Sequence, residues 1–207
     1  MIDKLQFISN QTKELTHLDS IQIALEAGCR WIQLRVKGQS YDEVLQMAIM
    51  AKNLCDSYQA KLIVNDFPDV AKEIDAYGLH LGLNDMSISD ARQIVGQKMV
   101  IGGTANTLEN ILDRMNEGAD YIGLGPFRFT STKQNLSPIL GLKGYRNLTA
   151  ALKSLHHTIP LIAIGGITQE DISEILETGV YGVAISSFII NAENPKNVVH
   201  KINNVLC

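Results

Sequence analysis

The stretch EAGCRWIQL, Glu26–Leu34, recurs in outline twice more along the chain, as NEGADYIGL at Asn116–Leu124 and ETGVYGVAI at Glu177–Ile185. Each copy leads from the end of a helical segment, through a glycine, into a short apolar run. Gly28, Gly118 and Gly179 stand where those helices should stop, because glycine enters the left-handed conformation of a helix terminus without a Cβ penalty. The run that follows has the length and apolar character of a buried strand. A helix returning to a strand in this way is half of a strand–helix–strand unit, so the three copies predict parallel strands joined by helices.

Working outward, the same alternation fills the chain. Strand-like runs occur as LQFIS (5–9), WIQLRV (31–36), KLIVN (61–65), GLHLG (78–82), MVIGG (99–103), YIGLG (121–125), PLIAIG (160–165) and GVAIS (182–186). The clearest helical segment between them is SYDEVLQMAIMAKNLCDSY (40–58), with Val44, Met47, Ala48, Ala51, Leu54, Cys55 and Tyr58 on one stripe. Ser40 with Glu43 forms a capping box at its start, and Thr168 with Asp171 is a weaker start signal of the same kind. Eight such units in 207 residues is about the shortest chain that closes a (β/α)8 barrel. The strands read as near-continuous apolar runs, as in a parallel sheet covered on both faces. An open doubly wound sheet is the competitor, and the even spacing favours closure. With no linker or low-complexity stretch, the expectation is an α/β chain forming one (β/α)8 TIM barrel over residues 1–207.

Composition narrows the function. The chain is 45% hydrophobic and 19% charged, with a formal charge of −4 and no basic block, so neither nucleic acid nor a membrane surface is an expected partner. No apolar run approaches the roughly 20 residues of a membrane helix, and the start MIDKLQFISN has no signal-peptide pattern. The three cysteines, Cys29, Cys55 and Cys207, are widely spaced, which indicates neither a disulfide framework nor a metal knuckle. A cytoplasmic protein acting on small molecules is the expectation, and a homo-oligomer is compatible with it.

A barrel of this kind carries its active site at the C-terminal ends of its strands. The second strand ends in Gln33, Arg35 and Lys37, the third in Asn65 and Asp66, and the fourth runs into Asp85. The fifth ends in Thr104 and Asn106. The sixth runs into Thr130, Ser131, Thr132 and Lys133, the seventh ends in Gly165-Gly166, and the eighth in Ser186-Ser187. Each has an ordinary reading alone. Asp66 and Asp85 could cap the helices that follow, Gly165-Gly166 could be a tight turn, and the cations could be solvated. These readings leave unexplained why all of them fall on one rim.

A shared chemistry explains the coincidence. Neighbouring strands lie about 4.8 Å apart, so Asp66 and Asp85 can reach one cation. Two acidic ligands among cationic neighbours suit Mg²⁺ bridging substrate phosphates, because Mg²⁺ keeps waters and phosphate oxygens as its other ligands. Arg35, Lys37 and Lys133 would then face phosphate oxygens. The backbone of the two glycines and of Ser186-Ser187 would offer N–H groups to a second phosphate, at the place where barrels often build one.

Seven motifs, QLRVK (33–37), VNDF (64–67), HLGLND (80–85), IGGT (101–104), GLGPFRFTSTK (123–133), AIGGI (163–167) and GVAISS (182–187), resemble in that order the thiamine phosphate synthase family. The resemblance implies a (β/α)8 barrel that condenses 4-amino-2-methyl-5-(diphosphooxymethyl)pyrimidine with a thiazole phosphate, usually carboxylated, releasing pyrophosphate and CO₂. It implies that Gln33, Leu34, Arg35, Val36, Lys37, Asn65, Thr104 and Lys133 hold the pyrimidine diphosphate. Asp66 and Asp85 would hold Mg²⁺, and Thr130, Ser131, Thr132, Gly166, Ser186 and Ser187 the thiazole phosphate. The implied mechanism is dissociative, with Arg35, Lys37 and Lys133 as the catalytic cations that stabilise the departing pyrophosphate.

Three positions depart from the family pattern. Val36 stands where family members usually have Glu, Asn106 where many have His, and the loop QNLSPIL (134–140) carries little charge. A thiazole tautomerase on the same barrel and a phosphate-binding sensor are the alternatives. The complete pyrophosphate apparatus and the lack of His at 106 favour the synthase. His80, within GLHLG, is expected to be a hydrogen-bonded structural histidine, and His156 and His157 to be exposed at a helix end.

Overall fold

A computed structural model describes residues 2–130 and 137–207. In chain order it contains β1 (Leu5–Ile8), α1 (His17–Ala27), β2 (Trp31–Leu34), α2 (Tyr41–Ser57), β3 (Lys61–Asn65), α3 (Pro68–Glu73), β4 (Gly78–Leu81), α4 (Ile88–Val95) and β5 (Val100–Ala105). There follow α5 (Leu108–Asn116), β6 (Tyr121–Leu124), α6 (Gly141–Ser154), β7 (Leu161–Ile164), α7 (Ile172–Glu177), β8 (Gly182–Ile185), α8 (Ser187–Ile190) and α9 (Pro195–Leu206). All neighbouring strands pair parallel, and β1 pairs with β8, so the sheet closes in the order β1 to β8. The (β/α)8 barrel expected from the sequence is the fold.

The local signals act as expected. Ser40 accepts from the Glu43 N–H while Glu43 reaches back to the Ser40 backbone, and Thr16 with Asp19 starts α1 in the same way. Such caps each contribute about 1 kcal/mol. Thr168 and Asp171 form a further box at a single 3₁₀ turn that leads into α7. Gly28, Gly118 and Gly179 take φ values of 110°, 92° and 90°, the left-handed stop that each helix needs.

The strands are less uniform than their apolar letters suggest. One set of alternate residues, including Phe7, Ile32, Leu34, Val64, Leu79 and Leu124, packs outward against the helices in the main core. The other set fills the barrel. Its apolar and aromatic members are Ile8, Trp31, Ile63, Tyr121, Ile162 and Ala184, and its polar members, Gln6, Gln33, Asn65 and His80, are buried among them. Burial pushes the Cys29 and Cys55 thiols up to about 12, so both are protonated core residues at neutral pH. No helix among the described residues is long and apolar enough to cross a membrane.

Candidate active site

A cavity of about 510 Å³ opens at the C-terminal ends of the strands, within the range of small-molecule sites. The end of β2 shows how the sheet aims it. Gln33, Arg35 and Lys37 line the cavity, whereas Leu34 and Val36 are almost fully buried in the layer between strands and helices. Strand alternation separates them. The Leu34 and Val36 side chains therefore point away from the cavity, and any contact these two residues make with a ligand there is through the backbone. The alternation also accounts for valine at 36, since the position is an apolar core site here.

Asp66 and Asp85 are brought together at the ends of β3 and β4. The Asp66 N–H donates to the His80 carbonyl at 2.9 Å, and its φ of 68° then turns the side chain into the cavity. Neither acid plays the capping role that would explain it without a ligand. Phe67 occupies the cap position of α3 with no side-chain bond, and Ser87 caps α4 by accepting from the Asp90 N–H. Asp85 instead accepts the Gly82 N–H at 2.6 Å.

The pair is electrostatically unsettled. Asp66 Oδ2 forms an ion pair with Lys37, while its Oδ1 is buried with no hydrogen-bond partner among the described residues. Burial first, and then the neighbouring Asp85, push the Asp66 carboxyl up to about 6. Asp85 lies below its ordinary range, because burial is outweighed by contact with Asp66, the Gly82 N–H and the Lys37 charge. Two facing carboxylates disfavour full ionisation unless a cation joins them. No three His, Cys, Asp or Glu side chains converge among the described residues, so a cation held here would take its remaining ligands from elsewhere.

The far side of the cavity is built from backbone. Gly165 and Gly166 have φ values of 104° and 66°. A Cβ on Gly166 would lie 2.5 Å from Arg128 Cγ and 2.8 Å from the Phe129 carbonyl oxygen. The loop after β6 lies directly on this turn, with the Phe127 and Arg128 N–H groups donating to Ile164 and Gly165 at 2.8 and 3.0 Å. Arg128 pins it further by an ion pair to Asp171. Ser186 and Ser187 line the same side, and the Ser186 hydroxyl is buried without a partner among the described residues. Thr130 reaches the cavity mouth. Ser131, Thr132 and Lys133 lie outside the described residues.

Other sequence expectations also find their places. Asn65 and Thr104 line the cavity, as does His80, which points into the barrel and bonds Tyr121 and Thr104. Asn106 is structural: its amide donates to the Gly125 and Pro138 carbonyls at 2.9 and 2.8 Å and ties the two ends of the strand-6 loop together. Ser9 and His17 were not anticipated. The Ser9 hydroxyl accepts the Arg35 N–H at 3.0 Å and lies 2.9 Å from His17 Nδ1. Burial, and then the Arg35 charge, hold the His17 imidazole below its ordinary range, so it is a neutral partner for that hydroxyl. The signal was the serine closing LQFIS at the C-terminal end of the first strand.

A closed (β/α)8 barrel that gathers two carboxylates, two cations and a glycine turn around one cavity defines a phosphate-handling barrel enzyme. The thiamine monophosphate synthase family model matches residues 5–189, and the chain belongs to that family. Thiamine-phosphate synthase of Bacteroides thetaiotaomicron is 49% identical over 201 residues, covering 97% of this chain and 96% of the relative. That of Flavobacterium psychrophilum is 47% identical over 206 residues, with 100% of both chains covered. Among solved structures, a thiamine phosphate pyrophosphorylase from Pyrococcus furiosus superposes with a TM-score of 0.82 at 30% identity, covering 98% of this chain and 95% of that one.

Proposed function

We propose that this chain joins 4-amino-2-methyl-5-(diphosphooxymethyl)pyrimidine to a thiazole phosphate, yielding thiamine phosphate and pyrophosphate, in the cytoplasm. The relatives carry this activity in their names at nearly half identity over essentially the whole chain. The observation that carries the reading is the pairing of Asp66 with Asp85. Neither has a capping role, and Asp66 keeps one buried oxygen without a partner among the described residues, beside Lys37.

On this reading Asp66 and Asp85 hold Mg²⁺, which would supply positive charge to the pyrophosphate as it leaves. Lys37 would exchange its bond to Asp66 for one to a phosphate oxygen. Arg35 would fork onto the same group, its backbone direction set by Ser9. Lys133 would complete the cationic wall. Gln33 and Asn65, buried at the cavity floor, would orient the pyrimidine, with Thr104 beside them. Thr130 to Thr132, the Gly166 backbone and Ser186-Ser187 would hold the thiazole phosphate opposite. With both rings fixed, cleavage of the carbon–oxygen bond first gives a pyrimidine-stabilised cation that the thiazole nitrogen captures. The protein contributes charge stabilisation and alignment and needs no nucleophile.

The test is pyrophosphate release by the purified protein with both substrates and Mg²⁺, compared with Asp66→Ala and Lys133→Ala. Release should require both substrates and the metal and fall by about 10²-fold or more in each variant. A folded wild-type protein that releases none would refute the reading.

A further inference from the structure

The barrel floor contains a buried pair, Tyr121 and His80, that the proposed chemistry does not use. Tyr121 is fully buried, and its hydroxyl receives the Gln6 amide at 3.3 Å. It lies 3.0 Å from His80 Nδ1, and His80 Nε2 lies 3.1 Å from the Thr104 hydroxyl. Two glycines on neighbouring strands make room for it. A Cβ on Gly102 would sit 2.1 Å from Tyr121 Cζ, and one on Gly123 would sit 3.0 Å from His80 Cε1. Trp31 packs edge-on to the Tyr121 ring at 5.0 Å. The tyrosine is therefore held in one place from several sides.

This arrangement has a direction. A Gln amide nitrogen can only donate, so the Tyr121 oxygen serves as acceptor toward Gln6. Its single proton must go elsewhere, and among the described residues its one remaining partner is His80 Nδ1. If Nδ1 carried a proton instead, the tyrosine would be surrounded by donors and its own proton would be buried without an acceptor, which is costly. Burial raises the Tyr121 hydroxyl above its ordinary range, so it keeps that proton. A neutral imidazole accepting at Nδ1 is protonated at Nε2. That Nε2–H then donates to Thr104 Oγ1, which leaves the threonine proton free to point into the cavity.

We propose that Tyr121 is a positioning residue: through the His80 tautomer it makes Thr104 a hydrogen-bond donor toward the bound pyrimidine diphosphate. The ligand group selected is thus an acceptor, a ring nitrogen or a diphosphate oxygen, and a donor at the same point is rejected. The inference rests on the proposed function in one respect, that the pyrimidine diphosphate occupies the part of the cavity Thr104 faces.

Two measurements test it. Long-range ¹H–¹⁵N NMR of histidine-labelled protein without substrate should show His80 protonated at Nε2 only, and Tyr121→Phe should move the proton to Nδ1 or mix the two forms. In steady-state kinetics, Tyr121→Phe and Thr104→Val should each lower kcat/KM for the pyrimidine diphosphate by about tenfold to a hundredfold, with the thiazole phosphate KM within about twofold of wild type. Thr104→Ser should restore the loss, and Tyr121→Phe should add nothing in a Thr104→Val background, since it acts through that hydroxyl. A wild-type His80 protonated at Nδ1 would overturn the proposal, as would a Tyr121 effect that persists without the threonine hydroxyl. If Tyr121→Phe does not fold, the wild-type tautomer and the two Thr104 variants still decide. The tautomer needs no substrate, so a protein with the expected tautomer and no pyrophosphate release would refute the synthase reading alone.

Discussion

Replacing Asp66 by Asn should make the protein more stable and inactive at once, and the gain in stability should depend on pH in one direction. The folded chain raises the Asp66 carboxyl from 3.8 to about 6, mainly by burial. Because the folded value lies above the unfolded one, the folded state holds this proton more tightly. The cost of ionising Asp66 is therefore absent below about pH 3.8, grows as pH rises, and is complete above about pH 6. Roughly two units correspond to at most about 3 kcal/mol. Solvent reaches the pair, since the Lys37 side chain is 52% exposed, so we take about half of that, 1–2 kcal/mol. Asn supplies the neutral state permanently, offers an amide that can donate toward Asp85, and tolerates the φ of 68°. Thermal melts in EDTA should show the Asp66→Asn protein melting about 2–8 °C above wild type at pH 8, with the difference vanishing near pH 4. Added Mg²⁺ with pyrophosphate should stabilise wild type and not the variant. A variant less stable than wild type at pH 8, or a difference that does not change with pH, would refute the reasoning.

Three further substitutions probe the scaffold around the site. Asn106→Asp should cost more than Asn106→Ala in urea unfolding, by about 1 kcal/mol or more, because a carboxylate would face the Gly125 and Pro138 carbonyls that the amide now satisfies. Val36→Glu, which introduces the usual family residue, should destabilise by about 2–4 kcal/mol as judged by the denaturation midpoint, because position 36 is 3% exposed within an apolar layer. Gly166→Ala should raise the thiazole phosphate KM severalfold and leave the pyrimidine diphosphate KM nearly unchanged, since the new Cβ would meet the Phe129 carbonyl oxygen on the far side of the cavity.

The barrel was legible because its punctuation is local. Gly28, Gly118 and Gly179 stop helices by backbone conformation alone, and Ser40 with Glu43 starts one within four residues. The rim was legible because polar letters closing apolar runs must fall at strand ends, as Asp66 does. What was hidden depends on side-chain period and on partners far along the chain. LQFIS reads as an apolar strand, yet its Gln6 faces inward to Tyr121, 115 residues away. QLRVK reads as one ligand-binding run, yet alternation sends the Leu34 and Val36 side chains away from the cavity. Asn106 reads as a vacant histidine, and only the folded loop reveals the two carbonyls that it bridges.

On the proposed function, the two sides of the cavity would meet the demand for anion binding by different physics, and this difference bears on how the site fills. On the β7–β8 side the donors would be backbone groups of the Gly165–Gly166 turn, which the loop bonded across it holds in place. Such a surface carries no net charge that must be neutralised and is formed before any ligand arrives. On the β2–β4 side the binders are charged side chains that already hold one another, Lys37 with Asp66. A diphosphate arriving alone would take Lys37 and leave Asp66 as a buried, unpaired carboxylate; a divalent cation alone would face the nearby Lys37 charge. Together they exchange partners without leaving a charge uncompensated. Pyrophosphate and Mg²⁺ should therefore bind with positive coupling that Lys37→Met abolishes, while the affinity of thiazole phosphate is indifferent to both. Calorimetric titration of pyrophosphate with and without Mg²⁺ measures that coupling directly, and equal affinities under the two conditions would show that the Lys37–Asp66 pair does not gate the site.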